Sequence, residues 1–277
     1  MIRRWLGGIA FLLVAAYLGA CGYLWATQRQ AIFEPAGEFQ TTPARMGLSY
    51  EEVHIPVGQD EIAGWWIAAE NATAPTVLYL HGNYRNRGYN LDHAARLHGM
   101  GCNVLVIDYR GYGDSSAVGP TEEGVYADAE AAWQYLLKTR GVPAGRAFIF
   151  GHSLGGAIAI DLAVRHPEAA GLITEGTFTS MQAMAERDYG FLPVGLLLNQ
   201  RFDSIAKISR LKMPLLLIHG TWDPRIPVAM ADALYAAAPQ PKQLLKIAGG
   251  EHSNSGVVGK VEYRAAVSAF IRQHSRQ

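Results

Sequence analysis

One stretch, residues 147–156, limits the possible folds of this chain more than any other. A short apolar run ends abruptly in Gly151-His152-Ser153-Leu154-Gly155, and small and apolar residues follow. This order predicts a strand, a sharp turn and a helix, with a serine at the apex of the turn. Such a turn requires glycine two positions before and after the apex, since side chains there would collide. It also directs the first N–H groups of the helix, beginning with that of Leu154, at the oxygen that the serine attacks.

The chain has 30 glycines, so Gly-x-Ser-x-Gly alone would arise easily by chance, and the regions around it carry the prediction. Short runs rich in β-branched and apolar residues recur at Thr76–Leu80, Asn103–Ile107, Phe148–Phe150, Gly171–Thr174, Leu215–Ile218 and Gln243–Ile247. Amphipathic stretches of helical length alternate with them, among them Glu122–Arg140, Leu154–His166, Val228–Ala238 and Val257–Gln273. Alternating strands and helices predict an α/β fold, in which helices cover both faces of a mostly parallel sheet.

An antiparallel hairpin is expected before the first of these strands. Val53, Ile55 and Val57 alternate with polar residues, which indicates a half-exposed strand. Ile62–Ala68 is its predicted partner, joined through a turn at residues 58–60.

The composition excludes several classes of protein. Of the 277 residues, 49% are apolar and 17% are charged, which allows a large core and excludes a disordered chain. Basic and acidic residues balance at 24 each, so the chain lacks the basic excess that nucleic-acid binding needs. The two cysteines, Cys21 and Cys102, lie in apolar segments and predict neither a disulfide framework nor a metal site. No cofactor is expected, and the oligomeric state is left open.

The N-terminal segment has the features of a membrane anchor. Residues 5–26 carry no charge, and about 20 apolar residues span a bilayer core. Trp5 and Trp25 stand near the two ends, where interfacial aromatic residues are common. Arg3 and Arg4 precede the segment and favour a cytoplasmic N-terminus, which places the rest of the chain outside the cytoplasm.

We therefore expect a single-pass anchor over residues 1–27, a connector over 28–48 and one domain over 49–277. Two alternatives stay open. A cleaved signal peptide would give a secreted protein. Cleavage before Cys21, in the lipobox-like sequence Leu18-Gly19-Ala20-Cys21, would give a lipoprotein.

An apical serine requires a base, and the base requires a third group that orients it. In an open parallel sheet these partners follow the carboxyl ends of later strands. Asp223 and His252 occupy such positions, in the chain order expected for this kind of sheet. We predict Ser153 as the nucleophile, His252 as the base and Asp223 as the acid. Glu175 and Asp108, which also end strands, are alternatives for the acid.

The sequence also supplies candidates for the rest of the site. The Leu154 N–H is one predicted oxyanion donor, and the Asn83 N–H, in the turn His81-Gly82-Asn83, is the other. Tyr84, an alternative donor, is a predicted substrate contact together with His152 and Phe178. Residues 178–213 form a predicted lid. Its apolar centre, residues 191–198, has three open roles: lining an acyl pocket, dipping into the membrane or packing on the core.

Several longer segments extend the pattern. They are residues 81–83 (His-Gly-Asn), 108–115 (Asp-Tyr-Arg-Gly-Tyr-Gly-Asp-Ser), 120–129, 175–180 (Glu-Gly-Thr-Phe-Thr-Ser) and 219–223 (His-Gly-Thr-Trp-Asp). With the anchor and the stretch at residues 28–35, they resemble the α/β-hydrolase superfamily, and within it Bem46-like serine hydrolases and α/β-hydrolase domain-containing proteins 13 and 17. The resemblance implies the same triad of Ser153, Asp223 and His252. The chain departs from the pattern at Tyr84-Arg85-Asn86-Arg87, which is bulkier and more basic than usual.

The expected function is a serine hydrolase that cleaves ester or thioester bonds in a small-molecule, lipid or acylated substrate. Two alternatives remain at this stage. One is an amide or peptide hydrolase that uses the same triad, and the other is a non-catalytic, membrane-tethered binding domain.

Overall fold

A twisted sheet of eight strands organises the structure, a computed structural model that describes residues 2–275. In chain order these strands are β2 (Glu51–Val57), β3 (Asp60–Ile67), β4 (Thr76–Leu80), β6 (Asn103–Ile107), β7 (Ala147–His152), β8 (Gly171–Glu175), β9 (Leu215–Gly220) and β10 (Lys242–Ile247). Two short strands, β1 (Glu34–Pro35) and β5 (Tyr84–Arg85), form a separate parallel pair. The helices are α1 (Ile2–Ile32), α2 (Leu91–His98), α3 (Glu122–Gln134), α4 (Leu154–Arg165), α5 (Met181–Tyr189), α6 (Val194–Leu197), α7 (Ser204–Ile208), α8 (Val228–Ala237), α9 (Ser255–Val258) and α10 (Lys260–His274).

The strand order across the sheet is β10-β9-β8-β7-β4-β6-β3-β2. The six strands from β10 to β6 are parallel, and the β2–β3 hairpin adds antiparallel strands at one edge. The predicted α/β fold and the predicted hairpin are both confirmed. The chain leaves β4 toward β6 on one side and returns to β7 on the other. The carboxyl end of β4 is therefore a switch point, where such sheets leave a crevice for ligands.

Burial on both faces of the sheet explains why the parallel strands could be recognised in the sequence. All residues of β4, β7, β8 and β9 are buried. Helices packed on the two faces produce two large apolar clusters, one on each side. A strand covered on both faces is a continuous apolar run. The predicted bounds of Thr76–Leu80 and Asn103–Ile107 are the observed ones.

Helix α1 is longer than the sequence indicated. It continues without a break to Ile32, five residues beyond residue 27, where the anchor is predicted to end. The residues after 27 were assigned to the connector because they are mostly polar. Gln28 and Ile32 are nevertheless buried against the domain, which holds the added turn in place. Met1 and residues 276–277, the ends of two predicted segments, lie outside the described residues.

Within α1, the 28 residues of Trp5–Ile32 form a stretch that is long and apolar enough to cross a membrane. Only 11% of its most apolar window is buried, so it is not a core helix of the domain. Large apolar side chains are exposed along it from Trp5 to Leu18 and again at Tyr23 and Trp25. Such a surface is stable in lipid and costly in water.

The predicted lid region, between β8 and β9, consists of α5, α6 and α7 and their loops. Ser180 and Asp203 begin α5 and α7, and each side chain accepts a backbone N–H of the first turn. Leu192, Val194 and Leu198 of this region pack on Leu24 of α1. The lid is therefore attached to the N-terminal helix as well as to the domain.

Candidate active site

The turn between β7 and α4 holds Ser153 in a conformation that L-residues rarely adopt. Its φ is 55° and its ψ is −121°. A Cβ at Gly151 would lie 2.1 Å from the carbonyl oxygen of Gly155. A Cβ at Gly155 would lie 2.1 Å from the carbonyl oxygen of Leu80. The two glycines thus permit the close contacts that the sequence predicted for this turn.

Residues at the end of β8 and just beyond it hold the turn in place. The Ser153 N–H donates to the Glu175 carbonyl oxygen at 2.9 Å. The Thr177 hydroxyl donates to the Ser153 carbonyl oxygen, also at 2.9 Å. Thr177 also packs against Gly156, where an added Cβ would approach to 2.5 Å. In the sequence, Thr177 appears only as a member of the segment 175–180, and no pattern there indicates this supporting role.

The structure joins Ser153, His252 and Asp223 in one hydrogen-bonded chain. The Ser153 Oγ lies 2.9 Å from His252 Nε2, and His252 Nδ1 lies 2.7 Å from Asp223 Oδ2. A carboxylate only accepts, so Nδ1 carries the proton and Nε2 is free to accept that of the serine. The Asp223 Oδ1 accepts the N–H groups of Arg225 (2.8 Å) and Ile226 (2.9 Å). The arrangement has the connectivity of a nucleophile, a base and an orienting acid.

The surroundings of Asp223 favour its charged form. Burial alone would raise the pKa of this carboxyl, but the hydrogen bond and charge of His252 and the two backbone N–H groups lower it below 3.8. The alternative acids have other partners. Glu175 accepts from the Tyr263 hydroxyl at 2.8 Å, and Asp108 accepts from Arg87. Among the described residues, neither is hydrogen-bonded to His252.

His152, a predicted substrate contact, is only 4% exposed and faces the base. Its Nε2 lies 3.0 Å from the His252 carbonyl oxygen, which makes this nitrogen the donor. Burial, together with the nearby His93 and His252, lowers the pKa of His152 to about 3, so the ring is neutral at ordinary pH. The hydrogen bond ties the serine turn to the loop that carries the base.

The two predicted oxyanion donors border the cavity at Ser153. Within residues 2–275, no acceptor takes the N–H of Leu154 or of Asn83. The Asn83 carbonyl accepts from the Glu34 N–H (3.1 Å) and the Tyr112 hydroxyl (2.9 Å). These bonds fix the Asn83–Tyr84 peptide, and the N–H of the preceding Gly82–Asn83 peptide is left available for a ligand.

The segment at residues 108–115 supports this loop. The Asp108 carboxylate accepts the Arg87 backbone N–H at 2.6 Å and its guanidinium at 2.5 Å. Arg87 is 1% exposed and lies between the rings of Phe39 and Trp65, with its Cζ 4.7 and 4.4 Å from the ring centroids. Arg87, one of the basic residues by which this loop departs from the family pattern, is therefore its main structural support. Because only the fold brings these partners together, the role of Arg87 could not be recognised in the sequence.

Two cavities meet at Ser153 and His252. One, of about 260 Å³, is lined by mainly apolar side chains: Leu24, Ala31, Phe178, Met181, Met184 and Leu198. The other, of about 420 Å³, is more polar and is lined by Tyr84, His152 and Arg225 among others. The predicted contacts Phe178 and Tyr84 thus lie on different sides of the serine. Among the described residues, no group of three or more His, Cys, Asp or Glu side chains is placed to hold a metal ion.

A mostly parallel sheet, a serine on a tight strand-to-helix turn, and a histidine and an aspartate after later strands are the features of an α/β hydrolase. The chain belongs to the α/β-hydrolase superfamily, as its sequence indicated, and we describe it as a hydrolase of that superfamily. The model of the family "Serine aminopeptidase, S33" matches residues 71–206.

Relatives and solved structures agree with this assignment. An uncharacterized protein of Mycobacterium tuberculosis is 34% identical over 257 residues, which cover 92% of this chain and 91% of that protein. Human α/β hydrolase domain-containing protein 17B is 33% identical over 206 residues, 72% of this chain and 66% of the human one. The Pyrococcus furiosus esterase Pf2001 has a similar fold, with a TM-score of 0.73, 22% identity, and coverage of 88% of this chain and 99% of the esterase.

Proposed function

We propose that this hydrolase cleaves carboxylic ester or thioester bonds of acylated substrates through a Ser153–His252–Asp223 triad. The observation that carries the proposal is the hydrogen-bonded chain from Ser153 Oγ through His252 to Asp223, at the end of an apolar cavity. An apolar cavity suits the acyl half of an ester. The more polar cavity on the other side of Ser153 suits the leaving alcohol or thiol.

The mechanism is a two-step acyl transfer. The Ser153 hydroxyl attacks the carbonyl carbon while His252 Nε2 takes its proton, and the N–H groups of Leu154 and Asn83 bind the oxyanion. The tetrahedral intermediate collapses, His252 returns the proton to the leaving alcohol or thiol, and an acyl-serine ester remains. His252 then deprotonates a water that attacks this ester, and the acid leaves as Ser153 regains its proton. Asp223 keeps the imidazole in the required tautomer throughout.

We also propose that α1 anchors the protein in a membrane with the hydrolase domain on the outer side. The length and exposure of α1 support the anchor, and the arginines before it support the orientation. A C-terminal alkaline phosphatase fusion tests the orientation, since this reporter is active only outside the cytoplasm. An inactive phosphatase fusion together with a fluorescent GFP fusion contradicts it.

Covalent labelling with a fluorophosphonate probe tests the triad. We expect labelling of the full-length protein and none of Ser153→Ala, with a strong loss in His252→Ala. Ser268→Ala, on α10, and His54→Ala, on the exposed face of β2, are matched controls that should label like wild type. A folded wild-type protein that stays unlabelled contradicts the proposal and favours a non-catalytic binding domain.

Turnover of matched p-nitrophenyl esters and p-nitroanilides then separates the two hydrolase classes. We expect the ester to be the better substrate by a large margin. A preference for the anilide overturns the ester assignment and supports a peptidase, the activity in the description of the matching family.

A further inference from the structure

The end of the N-terminal helix is a wall of the active-site cavity. Leu24, Ala31 and Ile32 of α1 border the same cavity of about 260 Å³ as Ser153 and His252. Met181, Met184 and Ala185 of α5 line it as well. A segment that was expected only to tether the domain therefore contributes directly to the space beside the nucleophile.

This part of α1 is fixed to the domain at several points. The buried Gln28 side chain donates to the Leu197 carbonyl (3.2 Å) and accepts the Asn199 N–H (2.8 Å) of the lid. The Arg29 guanidinium donates to the carbonyl oxygens of Gly119 (2.7 Å) and Pro120 (3.0 Å). The Ile32 carbonyl accepts from the Asn83 side chain at 3.0 Å. Because these bonds hold the helix on opposite sides, the position of the wall is defined.

The cavity also lies at the depth where the membrane ends. The 21 residues from Trp5 to Trp25 rise about 30 Å as a helix, which is the thickness of a bilayer hydrocarbon core. Leu24, at the outer end of this span, is both a cavity residue and the contact for the lid. In that lid segment Phe191 is 71% and Leu196 is 87% exposed. Apolar side chains thus stand exposed beside the outer membrane boundary, next to the cavity.

We propose that the outer end of α1 is the specificity-determining wall of the active site, and that a long acyl chain of a membrane-inserted ester lies between α1 and α5. The proposal rests on the serine hydrolase function proposed above and adds the substrate class. The cavity volume is close to the lower end of ligand pockets, about 300 Å³, which suits one chain better than a bulky ligand. Methionine side chains adapt to a flexible chain of this kind.

The test compares one substitution at two positions of the same helix. Ala26 and Ala31 are both exposed, but only Ala31 borders the cavity, so Ala31→Trp places an indole at the cavity and Ala26→Trp places one away from it. Both variants are assayed as full-length protein in lipid nanodiscs, with p-nitrophenyl laurate and p-nitrophenyl acetate. We expect Ala31→Trp to lower the laurate-to-acetate ratio of kcat/KM by about tenfold or more. Ala26→Trp should leave this ratio unchanged.

A second variant changes the wall in the opposite direction. Leu24→Ala lengthens the cavity, so the palmitate-to-laurate ratio of kcat/KM should rise about threefold or more. Melting temperatures in the same nanodiscs establish that each variant is folded. The inference is overturned if neither Leu24→Ala nor a folded Ala31→Trp changes its ratio, or if Ala26→Trp changes the laurate-to-acetate ratio as much as Ala31→Trp.

The two proposals fail in different ways. If the wild-type protein takes the fluorophosphonate label and hydrolyses acetate at least as well as laurate, the proposed triad stands and the proposed acyl-chain wall is contradicted. If the folded wild-type protein neither takes the label nor turns over any ester, both proposals are contradicted.

Discussion

The contact between His152 and the base loop is the residue-scale feature with the clearest functional consequence. His152→Phe removes the donor to the His252 carbonyl, and we expect kcat/KM to fall about tenfold, the equivalent of one hydrogen bond of ~1.4 kcal/mol. His152→Gln keeps an N–H donor and should retain most of the activity. The pKa of about 3 means that His152 does not titrate above pH 5. The pH–rate profile of His152→Gln, measured from pH 5 to 9, should therefore have the wild-type shape.

A His152→Phe variant as active as wild type contradicts this positioning role. A His152→Gln variant as impaired as His152→Phe shows that the imidazole ring itself, and not its N–H, is required.

Asp223→Asn tests the orienting acid. We expect kcat to fall by roughly 10³–10⁴-fold while the protein stays folded, since an amide no longer fixes the imidazole tautomer. Asp232→Asn, at an exposed position of α8, is the control and should have wild-type kcat. A loss smaller than tenfold in Asp223→Asn would mean that another group orients His252.

The lowered pKa of Asp223 predicts the direction in which its contribution to stability changes with pH. Its folded pKa is below the ordinary 3.8, so its ionised form stabilises the fold above about pH 4. This contribution is lost as the pH falls through the folded pKa. Urea denaturation of wild type and Asp223→Asn should therefore give free energies of unfolding that converge below about pH 4. A difference that stays constant down to pH 3 contradicts the shift.

The arrangement of Ser153, His252 and Asp223 was foreseeable because each residue is marked by a local sequence pattern. Ser153 needs glycines two residues away, and Asp223 and His252 each come just after an apolar run. The contacts of Thr177, Arg87 and His152 were not foreseeable, since no local sequence pattern marks them and their partners are between 21 and 100 residues distant in the chain. Contacts of that kind depend on the register of the finished sheet.

At the scale of elements, the loop after β4 depends on one buried ion pair. Arg87→Met leaves the Asp108 carboxylate buried without its cation, and we expect a loss of about 3–5 kcal/mol in the free energy of unfolding. Arg45→Met, at an exposed position, should cost much less. Chemical denaturation measures both. The double variant Arg87→Met/Asp108→Asn should recover part of the loss, and a single-variant loss below about 1 kcal/mol contradicts the role.

The elements that sequence reasoning missed share a physical reason. Helix α2 has only eight residues, and its apolar positions are interrupted by charged ones. Strands β1 and β5 have two residues each and exist only because they pair with one another. Long elements with a periodic pattern were found because the pattern itself reports burial. Short elements draw their stability from tertiary contacts.

For the whole molecule, the contacts of α1 predict that the segment is retained. Cleavage after residue 26 would remove Leu24 and expose Leu192, Val194 and Leu198, at about 1.5–3 kcal/mol for each side chain fully exposed. Intact-mass spectrometry of the membrane fraction should therefore detect the uncleaved chain. A mass that matches a chain beginning at Cys21 with added acyl groups would establish the lipoprotein alternative. A shorter chain in the medium would establish secretion.

The backbone of Ser153 has a consequence for the evolution of this protein. A positive φ costs an L-residue roughly 1–3 kcal/mol and costs glycine almost nothing. Ser153→Gly should therefore melt at a higher temperature than Ser153→Ala, although both lack the nucleophile. A lineage released from selection for catalysis would gain stability by exchanging this serine for glycine. The presence of a serine at this position of positive φ is what continued selection for reactivity would maintain.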